Sequence, residues 1–285
     1  MNQKMLGIVF GISAGAIWAL ETIIGKLLFS SLTFMQVTAS EIFFATIVTF
    51  AYTFVKREEI KIDRENILYL LIVGVVGTVI APLLYFFGLS QTFAVNATLI
   101  AHMQPFFIAV LGYFFLKEHL SKNDLMAGII IIFAAVLITS RTVENLTSLK
   151  IGNFGDLMVF FAMCCWAIVA IPGKYLTKKV SSTVIVSFRF LIASIVILPT
   201  LLYFNQLVIN SIYQVLLGVL VGVGYIFYYE SMKRLKTSQV AFTELSAPFF
   251  IVLFAWPLFG EIVTTLQILG ILLLMSGLYM LIKKL

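Results

Sequence analysis

QPFFIAVLGYFFLKEHLS, residues 104–121, and APFFIVLFAWPLFGEIVT, residues 247–264, align without a gap. Pro-Phe-Phe-Ile stands in both, an aromatic residue falls midway (Tyr113, Trp256), and Glu118 meets Glu261. The doubling continues upstream. WALETIIGK at 18–26 lies over WAIVAIPGK at 166–174, and EIFFATIV at 41–48 lies over RFLIASIV at 189–196. Ser121-x-x-Asp124 and Thr264-x-x-Gln267 have the form of capping boxes, each at the start of the last helix of its half. The chain therefore reads as two copies of one unit, 1–141 and 152–285.

Composition says where such a unit can live. Hydrophobic residues make up 61% of the chain and charged ones 11%, with a mean hydropathy of +1.09. A water-soluble domain carries about a quarter of its residues as Asp, Glu, Lys and Arg, so the apolar runs must face lipid. A helix needs about twenty apolar residues to cross a bilayer with its backbone groups paired internally. Ten segments qualify: 5–28, 34–55, 67–88, 94–116, 122–140, 157–175, 183–204, 212–229, 238–259 and 266–282. The first is too long for a signal peptide, carries Glu21 and lacks a clear cleavage site. Cys164 and Cys165 are adjacent within an apolar run, which supports neither a disulfide framework nor a metal site.

The net charge of +6 comes from Lys and Arg in short connectors, where such residues orient a membrane protein. Fifteen of them, from Lys4 through Lys56, Lys117, Lys174 and Lys233 to Lys284, fall on the face that holds both termini. Only Lys26, Arg141 and Lys150 fall on the other. Both termini are expected in the cytoplasm, with the protein in the cell membrane. Five spans per copy is an odd number, so the second copy must enter the bilayer from the opposite side. The expected fold is an all-α integral membrane protein, ten transmembrane helices in two inverted-topology five-helix repeats around a central cavity. A pseudo-two-fold axis in the membrane plane gives two similar conformations, one open to each side, which is the basis of alternating access.

In motif order the chain resembles the EamA-type branch of the drug/metabolite transporter superfamily. The resemblance rests on the Trp-Ala…Gly-Lys of spans 1 and 6, Arg189 of span 7, and the junctions YFFGLSQTFAVNATLIAHMQP and YYESMKRLKTSQVAFTELSAP. The closing GEIVTTLQILGILLLMSGLYML adds to it. It implies a carrier of small metabolites, often amino acids, with a cavity lined by spans 1–4 and 6–9. In that family span 2 usually carries a basic residue where this chain has Glu41, and small or neutral polar residues are common where it has Glu21. A borrowed substrate is therefore not implied.

Ionisable groups inside spans cost about 2.5–3.5 kcal/mol on insertion scales, so each needs a partner or a purpose. Glu21, Glu41 and His102 lie about 9–12 Å from the outer ends of their spans at 1.5 Å per residue. Two carboxylates in a low-dielectric space repel when both are ionised, so one is expected to hold a proton near neutral pH, which His102 could share. Either the trio binds a cationic group of the cargo or a coupling proton, or its members bond one another and lock the helices. Arg189 and Glu244 lie about 9 Å from the inner side and are expected to form an ion pair between spans 7 and 9, part of an inner gate. Trp18 and Trp166, with Tyr85, Tyr228, Tyr229, Asn96, Gln104, Gln239 and Thr243, complete the expected cavity wall. All six prolines fall within spans, and the equivalent pair Pro105 and Pro248 reads either as hinges or as fixed kinks. Gly7, Gly11 and Gly15, and likewise Gly218 and Gly222, form small-residue faces for close helix packing.

These residues point to a secondary transporter of a small organic metabolite. An amino acid or a related compound, a cationic one included, is expected as cargo, with export, and protons as a candidate coupling partner. A multidrug or nucleotide-sugar type carrier is the alternative. An intramembrane enzyme or a scaffold is more remote, since the two histidines, His102 and His119, have no metal-site spacing and no nucleophile constellation exists. No cofactor and no nucleic-acid partner is expected.

Overall fold

The computed structural model describes residues 3–104, 106–108, 110–111, 122–149, 152–203, 206, 208–235, 240, 243–244 and 246–282. Among them the chain is helical and forms no strand. The helices are α1 (Gln3–Leu28), α2 (Phe34–Val55), α3 (Arg64–Val75), α4 (Ala81–Gln91) and α5 (Ala94–Ala101), followed by α6 (Lys122–Ser140) and the short α7 (Val143–Thr147). Then come α8 (Phe154–Leu176), α9 (Ser182–Tyr203), α10 (Ile212–Arg234), α11 (Ser246–Phe259) and α12 (Thr265–Ile282).

Six helical stretches are long and apolar enough to cross a membrane: α1, α2, the continuous Arg64–Gln91, α8, α9 and α10. They coincide with six of the ten expected spans. Three more of the ten correspond to shorter apolar helices, Met126–Ser140, Ser246–Phe259 and Thr265–Gly277. The fourth is interrupted. Its first part is α5, which gives way to a turn at His102 and Met103 before the helix resumes at Gln104. A proline at 105 has no N–H to offer the Ala101 carbonyl, which favours such a break. Residues 112–121, with Glu118, His119 and Ser121, lie outside the described residues. Large apolar side chains such as Ile129, Ile132, Phe133, Phe249 and Leu272 are exposed on the outside of the bundle, a surface suited to lipid and not to water.

The two halves are interleaved. α1 packs along α10, α8 along α3 and α4, α2 along α9 and α10, and α6 along α12. Small residues allow these approaches. A Cβ on Gly11 would stand 1.9 Å from Thr243 Oγ1, and one on Gly218 would stand 2.4 Å from Phe44 Cβ, so both small-residue faces sit at contacts. α4 meets α8 backbone to backbone, where Gly88 and Gly155 face each other. A Cβ on Gly88 would lie 2.5 Å from the Gly155 carbonyl, and one on Gly155 would lie 2.6 Å from that of Gly88. Backbone on both sides cannot give way. Gly88→Leu should therefore cost at least about 1–3 kcal/mol, seen as a lower melting temperature of the purified protein in detergent.

Chain direction follows from contacts at one end of the bundle. Lys26, in the last turn of α1, reaches the Thr92 carbonyl at 2.9 Å, and the Thr92 hydroxyl donates to Asp156 in the first turn of α8 at 2.6 Å. α8 thus begins at the end where α1 finishes. At the other end Arg234 meets Gln3 at 3.0 Å, so α10 finishes where α1 begins.

Candidate functional site: a charged cavity between the two halves

A cavity of about 110 Å³ lies between the halves, with walls from α1, α4, α5, α8, α9 and α10 and from His102, Gln104, Ile108, Val240 and Glu244. That is room for several waters or one small organic molecule. It is off-centre. Toward the end where α1 finishes its lining stops at Thr22 and Thr98, and toward the other end it extends to Gly173 and Met232. Trp18, Glu21, Tyr85, His102, Gln104, Trp166, Arg189, Tyr228, Tyr229 and Glu244 all line it, as does Tyr225, which the sequence reading did not single out.

A local irregularity builds the strongest feature of the wall. Between α3 and α4, residues Val76–Ile80 form one π-helical turn. Such a turn withdraws a carbonyl from the ordinary ladder and leaves it able to accept from elsewhere. The Gly77 carbonyl accepts from the Trp166 indole at 3.1 Å and from Arg189 Nη2 at 3.2 Å. Arg189 Nε donates to the Thr78 hydroxyl at 2.8 Å and Nη1 reaches the Tyr229 hydroxyl at 3.5 Å. The guanidinium lies 3.8 Å from the centre of the Tyr225 ring, a cation–π distance. It is held by three neutral oxygens and an aromatic face, and it has N–H groups to spare.

The expected pairing of Arg189 with Glu244 is therefore corrected. Among the described residues Arg189 forms no ion pair, and Glu244 instead accepts from the Trp18 indole at 2.7 Å. The two line one cavity. Counting residues from span ends misjudged their relation because the π turn brings Gly77 and Thr78 to the guanidinium first.

The acidic trio is also rearranged. Glu21 and His102 line the cavity, but among the described residues Glu21, Glu41 and His102 form no hydrogen bond with one another. His102 Nδ1 bonds the Thr98 carbonyl at 2.7 Å, one turn back in its own helix. Glu41 is not in the lining. It is 1% exposed, and one of its carboxyl oxygens has no hydrogen-bond partner. It stands in α2 where the second copy has Arg189. Thr243 is corrected as well: its hydroxyl turns to the Val240 carbonyl at 2.7 Å and does not line the cavity. Pro248 lies within α11 and is buried. Pro105 and Gln239 lie outside the described residues.

Asn96 belongs elsewhere. It sits in a buried polar layer beyond the cavity, at the end where α1 finishes. There it donates to Asp156 at 3.4 Å and accepts from Gln267 at 2.8 Å. Gln267 also closes the Thr264 capping box, bonding the Thr264 N–H at 3.0 Å. Asp156 pairs with Asn153 in the capping box that opens α8 and accepts from Thr92. Beside them Glu261 forms an ion pair with Lys26 at 2.6 Å and accepts from the Ala94 and Val95 N–H groups at 3.0 and 3.1 Å. The local reason is plain. Phe93 stands at the N-cap of α5 and offers no side-chain acceptor, so the first N–H groups of that helix need one from elsewhere. Gly260, at a φ of 64°, ends α11 with a left-handed residue, and the bond from its N–H to the Trp256 carbonyl forms an αL cap that delivers Glu261 to α5. Asp156→Ala removes a charged acceptor from Thr92 and Asn96 and opens the α8 capping box. The expected loss is about 3 kcal/mol, measurable as a lower melting temperature.

The comparisons with known proteins follow this geometry. The sequence profile of the EamA-like transporter family matches twice, over residues 5–141 and 153–283. The chain belongs to that family. An EamA-like relative, an uncharacterized transporter of Methanothermobacter thermautotrophicus, is 27% identical over 79% of this chain and 67% of its own length. The pseudopaline exporter CntI of Pseudomonas aeruginosa is 23% identical over 77% of this chain and 76% of its own. A probable amino-acid metabolite efflux pump of Salmonella typhimurium is 28% identical over 64% of this chain and 65% of its own. One crystal structure matches with a TM-score of 0.69 over 96% of this chain and 95% of that one, at 16% identity, a likeness of fold alone. This EamA-like chain is thus a multi-pass membrane transporter.

Proposed function

We propose that this chain is a secondary transporter that exports a small zwitterionic metabolite, an amino acid or a compound related to one, by alternating access. One observation carries the reading. The cavity is lined by a buried guanidinium that forms no ion pair among the described residues, and by the carboxyls of Glu21 and Glu244, among aromatic rings. Charges of both signs that do not pair with each other complement a ligand that carries both. The aromatic faces suit its apolar part and the spare N–H groups of Arg189 suit its carboxylate. Export is supported by the naming of one relative as an exporter and of another as an efflux pump.

The two matched segments and the interleaved packing support ten spans in two repeats. The shared end of α1 and α8 supports their inversion, and with it a cavity that opens alternately to each side. The excess of Lys and Arg on the terminal face supports cytoplasmic termini in a cell membrane. The unpartnered oxygen of the buried Glu41 supports a proton as the coupling ion, since a buried carboxyl without a donor is readily kept neutral by one. A melting series on the purified protein tests the ligand class. Amino acids should raise the melting temperature by several degrees, whereas their amides and their des-amino acids should not. Equal shifts with all three, or a shift only with lipophilic cations, would favour a multidrug carrier.

A further inference from the structure

Beyond the cavity, toward the face where α1 finishes, the Lys26–Glu261 pair joins three pieces of backbone that belong to both halves. Lys26 comes from the end of α1 and also holds the Thr92 carbonyl at the junction of α4 and α5. Glu261 comes from the turn after α11 and caps α5 through Ala94 and Val95. The pair lies one helical turn past the last cavity residues, since Lys26 follows Thr22 by four residues in α1 and Ala94 precedes Thr98 by four in α5. These pieces lie between the cavity and that face.

The opposite end has a related contact. Lys174 is the repeat counterpart of Lys26, and Leu235 stands 143 residues after Thr92. Lys174 indeed reaches the Leu235 carbonyl at 3.4 Å and the Met232 carbonyl at 2.8 Å. The lysine-to-carbonyl contact is thus present at both ends. Glu261 completes it at the Lys26 end, while Glu118, which aligns with Glu261, lies outside the described residues. The cavity is displaced away from that end and toward the other.

We propose that the Lys26–Glu261 pair is a latch that holds the cavity shut toward the face where α1 finishes, and that it parts whenever the cavity opens there. The inference rests on the transporter reading. Its physical basis is that a buried ion pair is close to balanced between Coulomb attraction and lost hydration. Opening this face admits water to both charges and to the exposed N–H groups of α5, so the latch can part and re-form reversibly.

The test reads access without any substrate. In a chain whose Cys164 and Cys165 are replaced by serine, one cysteine is placed at Thr98, and a membrane-impermeant maleimide is added from the Lys26 face. Lys26→Met and Glu261→Gln should each label about tenfold faster than the parent, the size expected for losing a charge-assisted bond, and Lys26→Arg should stay within about twofold. Lys26→Met keeps the Glu261 cap on α5, so it decides the matter should Glu261→Gln fail to fold. Unchanged labelling in Lys26→Met would overturn the latch, and a rise in Glu261→Gln alone would assign the closure to the helix cap and overturn the ion pair's part in it. A chain that moves no tested metabolite would leave this result standing, so the two readings fail separately.

Discussion

Arg189→Met should abolish transport while the purified protein melts within about 5 °C of the parent. The two halves of this expectation come from different contacts. Arg189 is 2% exposed and bonded to the Thr78 hydroxyl, the Gly77 carbonyl and the Tyr229 hydroxyl, none of them charged. Its removal therefore leaves no buried carboxylate that it had paired directly, and the Gly77 carbonyl keeps the Trp166 indole. Each lost hydrogen bond costs about 1 kcal/mol, and the recovered desolvation of a buried guanidinium offsets that by an amount of the same order. The ligand fares differently. Truncating one side of a buried, hydrogen-bonded charge pair costs about 2–5 kcal/mol, a loss of about 30-fold or more in apparent affinity. Arg189→Lys should recover little, because an ammonium cannot hold Thr78 and Gly77 and still present a fork to a carboxylate. Initial uptake rates against substrate concentration, set beside a melting curve, separate the two effects.

Glu21→Gln should produce the second large loss, and a larger one than Glu244→Gln. Both carboxyls line the cavity, but Glu244 is already engaged by the Trp18 indole at 2.7 Å. Glu21 accepts no hydrogen bond from a described side chain, so it is the carboxyl left for an ammonium group. Its loss should raise the apparent KM for an amine-bearing substrate about 30-fold or more, whereas Glu244→Gln keeps an acceptor for Trp18 and should change it only several-fold. A titration of uptake rate for both variants in parallel checks the order. The opposite order would assign the ammonium to Glu244.

The bundle was legible because its causes are local in sequence. Apolar runs of about twenty residues fix where helices cross, and six of the long helices fall where those runs do. Repeated glycines in α1 and α10 marked close contacts that the structure contains. Span 4 was misread as one helix because hydropathy does not register the break between Ala101 and Gln104. The cavity wall was partly legible, since a charge or a tryptophan deep in a span has few other uses. Its pairings were not. Arg189 turned to Gly77 and Thr78 because of a π turn, and no residue pattern in VGTVI announces one. Asn96 and Thr243 were placed in the cavity by their polarity, yet their side chains serve Asp156, Gln267 and the Val240 carbonyl. The Lys26–Glu261 pair was missed although both residues lay in the aligned repeats. The usable signal was that Lys recurs at 26 and 174 and Glu at 118 and 261, since a charge kept at the end of a span in both copies requires a partner.

The central claim is that a small zwitterion crosses the bilayer through this cavity, and counterflow in proteoliposomes tests it most directly. Vesicles preloaded with a mixture of unlabelled amino acids are diluted into trace amounts of each labelled one. The account predicts transient accumulation of at least one of them with the parent chain and none with Arg189→Met. Accumulation at the same rate in parent, Arg189→Met and protein-free vesicles would contradict it.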